Sequence, residues 1–205
     1  MKSILIPVEE SELLESVLET ALLVARRFGS HMEGLHVRPD FAGIIAATGM
    51  GAPYVVEDFR KEDWESIQRS RLEFEQFLNR NDIPLDGGAG TGQPWATFRV
   101  EAPPGDDFIG QHARLFDVTV LGQPSRGATP PRMSTLEAAL FDGGRAVLVA
   151  PPTAPRRLGH NVMIAWNAST ETARTVGLAR SFLEQAERVF VLSVEGGLVA
   201  GPSAD

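Results

Sequence analysis

The sequence predicts an α/β fold: a Rossmann-like, doubly wound sheet of five parallel strands, followed by a partial second copy built as strand, helix, strand. Three observations predict it. Short continuous apolar runs alternate with longer runs whose apolar residues recur at three- to four-residue spacing, which calls for buried parallel strands covered by helices. The segment Ser3-Ile4-Leu5-Ile6-Pro7-Val8-Glu9-Glu10-Ser11 is echoed by Asn161-Val162-Met163-Ile164-Ala165-Trp166-Asn167-Ala168-Ser169, an offset of 158 residues and about one domain length. The chain then stops at Asp205, before the second copy reaches its later half.

Taken in order, Lys2 to Val8 is a β-forming apolar run and reads as the first strand. Ser11 is placed to cap a helix whose buried face carries Leu14, Val17, Leu18, Ala21, Leu22, Ala25 and Phe28, and Gly29 ends it. Met32 to Val37 is the second strand, and a glycine-containing loop runs from Arg38 to Val56. Glu57 to Arg80 is a helix, with Trp64, Ile67, Phe74, Phe77 and Leu78 marking its buried side. Trp95 to Ala102 alternates like a half-buried or edge strand. Phe108, Ile109, His112, Ala113 and Phe116 form the face of a short helix, Asp117 to Gly122 is another apolar strand, and Ser134 to Phe141 is a short helix stopped by Gly143-Gly144. Ala146 to Ala150 closes the first unit. The second has a strand at 161–166, a helix from Ser169 to Gln185 and a strand at 188–194. The domain boundaries follow: 1–152, a Pro- and Arg-containing linker at 153–159, and a partial second domain at 160–205.

Composition narrows the function classes. The formal net charge is -8 over 205 residues, which argues against nucleic acid or an anionic membrane as the main partner. There is no cysteine, so disulfides, thiolate chemistry and Cys-ligated metal are excluded. Lys2 and Lys61 are the only lysines and neither follows a glycine-rich turn, so there is no P-loop. No apolar run approaches the length of a membrane span, and the first residues lack a signal-peptide pattern, so the cytoplasm is the expected location. A lone strand-helix-strand unit would leave Val162, Ile164, Val189, Val191 and Val194 in need of cover. Self-association, as a dimer, or packing between the two repeat units is therefore expected.

In an open parallel sheet the ligand crevice lies outside the carboxyl ends of the strands, where the strand order reverses. The residues at those ends are Pro7, Val8 and Glu9 after the first strand, Val37 after the second, and Gly122, Gln123, Ser125, Arg126 and Gly127 after the fourth, with Ser134 opening the next helix. Glu9 could accept hydrogen bonds from a ligand, and a glycine-containing strand end can turn amides toward an anion. Neither residue type is specific: a carboxylate near a helix start and a Pro/Gly/Ser turn are common surface chemistry. His31, His36, His112 and His160 show no metal-ligand spacing, and His112, on an apolar helix face, reads as a structural histidine. No Ser-His-Asp arrangement or G-x-S-x-G elbow is present, so no catalytic residue and no metal site are assigned.

The strand Ile4-Leu5-Ile6-Pro7-Val8, the acidic Glu9 two residues before Ser11, and the later strand Asp117 to Gly122 together resemble the universal stress protein family. The resemblance covers residues 2–151 as one full domain and 160–195 as the opening of another, and is closest to tandem members. It implies a role in stress response. Many members of the family bind ATP through a motif G-x-x-G, a longer spacer, then Gly followed by Ser or Thr. Here Gly122 matches the first glycine, Ser125 stands at the second, Met133-Ser134 stands at the final Gly-Ser after a shortened interval, and Glu9 replaces the usual Asp. A side chain at that last glycine would crowd the phosphates. The expectation is a non-catalytic stress-response protein that needs no cofactor and acts through self-association or ligand and partner binding. An ATP-binding switch or slow ATP hydrolase at the same crevice is the alternative. A nucleotide-alpha-hydrolase relative would want a Ser/Gly-rich loop where this chain has Pro7-Val8-Glu9-Glu10-Ser11.

Overall fold

The computed structural model describes residues 1–37, 53–88, 90, 92–100, 106–124 and 130–193, with the backbone alone at 53–60 and 106. It divides into two compact units, Met1–Pro155 and Arg156–Asp205. In the first, strands β1 (Ser3–Val8), β2 (His31–His36), β3 (Trp95–Val100), β4 (Val118–Gly122) and β5 (Ala146–Ala150) form one sheet in the order β3-β2-β1-β4-β5. All its pairings are parallel, with Ile4 opposite Met32 on one side of β1 and opposite Val118 on the other. The chain builds outward from β1 to β3 and then returns to the far side of β1, so the order reverses between β1 and β4.

Strand alternation feeds two layers. Leu5, Leu35 and Leu121 point to one face, where Ile109 and Ala113 of helix α3 (Asp106–Ala113), Phe116 and Ala139 complete a core cluster. Gly34 points the other way, where an added Cβ would sit 2.9 Å from the Phe74 ring; glycine lets helix α2 (Pro53–Arg80) close onto β2. Helix α1 (Leu14–Phe28) packs on β1, β4 and β5, and its Ser16 hydroxyl donates to the Pro151 carbonyl, tying down the end of β5 at 2.6 Å. Gly29 caps α1 in the left-handed conformation at φ 62°, as its sequence position predicts.

Several local expectations are corrected. Ser11 does not cap α1: the helix begins at Leu14, whose amide donates to the Ser11 carbonyl. The preceding Glu10 is instead held by α2, accepting from Ser66 Oγ at 2.8 Å and Arg69 Nε at 3.1 Å. Helix α2 starts at Pro53, four residues earlier than Glu57, because proline is well suited to a first helical turn. Trp64 is 62% exposed, whereas Phe74, Phe77 and Leu78 are fully buried. At 28 residues α2 is roughly 42 Å long, about twice the span of a six-residue strand, so its earlier turns overrun the sheet. The expected helix from Ser134 to Phe141 is a short α4 (Met133–Glu137) that widens into a π-type turn at Ala138–Asp142. Gly110 of α3 approaches that turn closely: an added Cβ would lie 2.7 Å from the Ala138 carbonyl oxygen.

The second unit contains β6 (Asn161–Trp166), α5 (Thr170–Leu178), α6 (Arg180–Leu183) and β7 (Arg188–Ser193), with β6 and β7 parallel and Val162 opposite Val189. Here the serine does cap: Ser169 Oγ accepts from the Thr172 amide at 3.1 Å. The single helix expected to Gln185 is broken at Ala179, just after Gly177, a poor helix former. No helix among the described residues is long and apolar enough to cross a membrane.

Candidate functional site

The reversal between β1 and β4 places Val8-Glu9 beside Gly122-Gln123 at the carboxyl edge of the sheet. This is where a doubly wound domain builds a ligand crevice. Among the described residues, Arg132, Thr135 and Pro131 meet Glu9 and Gly122 at this edge. Glu9, 7% exposed, accepts at Oε1 from Arg132 Nε and from Thr135 Oγ1, both at 2.9 Å. Burial pushes the Glu9 carboxyl above its ordinary value, and the Arg132 and Thr135 hydrogen bonds with the Arg132 charge offset this only in part. Pro131 lies over Gly122: a Cβ built there would meet the Pro131 ring at 2.5 Å and Val17 Cγ2 at 3.3 Å. The open face that a glycine would offer to an approaching ligand is therefore taken by a proline ring.

The remaining strand-end residues divide. Pro7 and Val8 are buried in the strand, Val37 packs against the core cluster below the edge, and Gln123 and Ser134 are exposed. Ser125, Arg126 and Gly127 lie outside the described residues. The groups that meet Glu9 are Arg132 and Thr135, which sequence reading did not single out. The hint available was an arginine and a hydroxyl flanking Met133-Ser134, opposite an acid that ends a buried strand.

A second polar cluster lies on β2. Glu33 Oε1 is 2.6 Å from His112 Nε2 and 3.1 Å from Arg99 Nε, and its side chain is 9% exposed. Burial alone would raise the Glu33 carboxyl, but the His112 hydrogen bond and charge, with the charges of Arg99 and His31, together hold it below its ordinary value. His112 packs with Phe108 and Phe116, both ring centroids at 5.2 Å. His31 stacks on Trp95 at 4.0 Å and meets Thr97 Oγ1 at 2.8 Å; burial lowers its pKa, opposed by Glu33. The structural reading of His112 fits this geometry: it anchors α3 to the central strands.

The class these features define is a doubly wound α/β domain in which Glu9 and Gly122, at the strand ends, are met by Arg132, Thr135 and Pro131. Among solved structures, the universal stress protein UspA from Lactobacillus plantarum aligns at 16% identity and TM-score 0.50, over 73% of this chain and 97% of its own. The hypothetical protein MJ0577 aligns at 15% identity and TM-score 0.52, over 75% of this chain and 98% of its own. The fold of this chain is thus the universal stress protein fold. No family model and no curated protein matches the sequence.

Proposed function

We propose that this chain is a universal stress protein that serves the stress response by binding partners, without catalysis and without a nucleotide. The observation that carries the reading is the set of contacts at the strand ends: Arg132 and Thr135 on Glu9, and Pro131 beside Gly122. Glu10 gives the same message, since its carboxylate is engaged by Ser66 and Arg69. A ligand at this edge would have to replace the Arg132 bond to a buried carboxylate, and a hydrogen bond to a charged group is worth about 1.5–3 kcal/mol. The formal net charge of -8 adds repulsion toward polyanions and supports a protein that leaves nucleic acid and anionic membranes alone.

Titration calorimetry with ATP and magnesium tests the reading. No heat up to millimolar nucleotide is expected. Micromolar binding would overturn it in favour of an ATP-binding switch or slow ATP hydrolase at Glu9, Val37 and Gly122–Gly127. Association is the second half of the proposal. Removing residues 159–205 is expected to change the solution mass or the solubility, and light scattering that finds both unchanged would count against it.

A further inference from the structure

We propose that the exposed stripe of α2 between Lys61 and Glu75 is a contact surface for a second copy of this chain, the two helices lying antiparallel about a two-fold axis at Gln68. This names a surface for the self-association proposed above and rests on that reading. The helix divides into three faces. Asp63, Ser70, Phe74, Phe77 and Leu78 turn inward and are buried. One flank is held at the entrance and first turn of α1, where Ser66 and Arg69 reach Glu10 and Arg80 reaches Glu15 at 3.0 Å. The other flank carries Trp64, Gln68 and Leu72, four residues apart and therefore stacked one above the next. Trp64 is 62% exposed and Leu72 55%.

The order of charges selects the partner. Beside this stripe Lys61, Glu65, Arg71 and Glu75 alternate in sign. Within the helix they form two pairs, Lys61 Nζ with Glu65 Oε1 at 3.9 Å and Arg71 Nε with Glu75 Oε1 at 2.7 Å. Such solvent-screened pairs contribute little to stability and exchange partners at small cost. In a copy related by a two-fold axis at Gln68, residues equally far before and after Gln68 come level with one another. Lys61 then comes level with Glu75, Glu65 with Arg71, and Trp64 with Leu72, each twice. Helices pack at an axial separation of about 8–10 Å, within reach of these long side chains. A parallel copy in register would set like charge against like.

Size sets the strength. From Lys61 to Glu75 the stripe is roughly 21 Å long, so the contact is small and belongs with weak, transient interfaces. Its apolar anchor is Trp64, a residue type that carries a large share of binding energy when it is covered. An isologous contact of this kind closes on two copies, so the product is a dimer that forms with rising concentration.

The test is sedimentation of the full chain over a concentration series up to about 1 mM. A monomer–dimer equilibrium is expected. Dimer affinity should fall at least about tenfold in Trp64→Ala, and also in Lys61→Glu and Glu75→Lys taken singly. The double variant Lys61→Glu/Glu75→Lys should restore it, because the swap returns opposite charges to the same level. The chain has no cysteine, so a single introduced thiol reports geometry. Gln68→Cys should join two copies through a short bis-maleimide, and the equally exposed Gln76→Cys, on the other flank, should not. A dimer that the stripe variants leave intact, a double variant that does not recover, or equal cross-linking at both positions would overturn this surface and leave the association reading standing. A monomer throughout the series would overturn both. The nucleotide calorimetry is independent of either result.

Discussion

Replacing His112 by alanine tests whether the buried hydrogen bond between His112 and Glu33 holds α3 to the sheet. The substitution removes the 2.6 Å bond from Nε2 to Glu33 Oε1 and the ring packed with Phe108 and Phe116. A hydrogen bond to a charged group is worth about 1.5–3 kcal/mol, and stripping one partner from a fully buried pair costs about 3–5 kcal/mol. Arg99, at 46% exposure, remains as a solvent-screened counter-charge for Glu33, so the expected loss lies lower, at about 2–4 kcal/mol near pH 7. His112→Phe restores ring packing without the bond and should recover only part of that loss. The pH dependence follows from Glu33. Its carboxyl is held below the ordinary value in the folded state, so its stabilisation is present above that value and is lost as pH falls through the folded pKa. The gap between wild type and His112→Ala should therefore widen as pH rises from about 3 to about 6. Urea unfolding in a Trp166→Phe background, where Trp64 and Trp95 report the first unit, provides the assay. A cost under about 0.5 kcal/mol, or a gap that does not change with pH, would refute the reasoning.

Glu9 should show the opposite sign. Its folded pKa is raised, so its contribution is fully present below the unfolded value and is lost as pH rises through the folded one. Wild type minus Glu9→Gln stability should shrink from about pH 4 to pH 7, and a difference that grows would contradict the burial argument. Gly122→Ala should destabilise the first unit by about 1–3 kcal/mol by driving a methyl into Pro131, measured by urea midpoint, and an unchanged midpoint would mean the ring is not seated there. Ser169→Ala should cost the second unit about 1 kcal/mol through loss of the Thr172 amide cap, while Ser11→Ala, removing no cap, should cost well under half that; hydrogen exchange on the two units compares them.

The local rhythm of this chain was legible in its sequence. Apolar periodicity at Ser3–Val8 and Val118–Gly122, the helical stripe from Leu14 to Ala25, and Gly29 as a left-handed cap depend on neighbours a few residues apart, and period and backbone freedom act at that range. Exposure at Trp64 was not legible, because it depends on how far a long helix overruns a short strand. Nor was the fact that one of two similar serines caps its helix and the other does not, since Glu10 is held by residues more than fifty positions away. The candidate site divides the same way. Sequence placed Glu9 and Gly122 at strand ends, but their partners Arg132, Thr135 and Pro131 were chosen by the order β3-β2-β1-β4-β5. A buried carboxylate takes whichever donors the assembled layers bring within about 3 Å, and strand order, which no local pattern encodes, decides which those are.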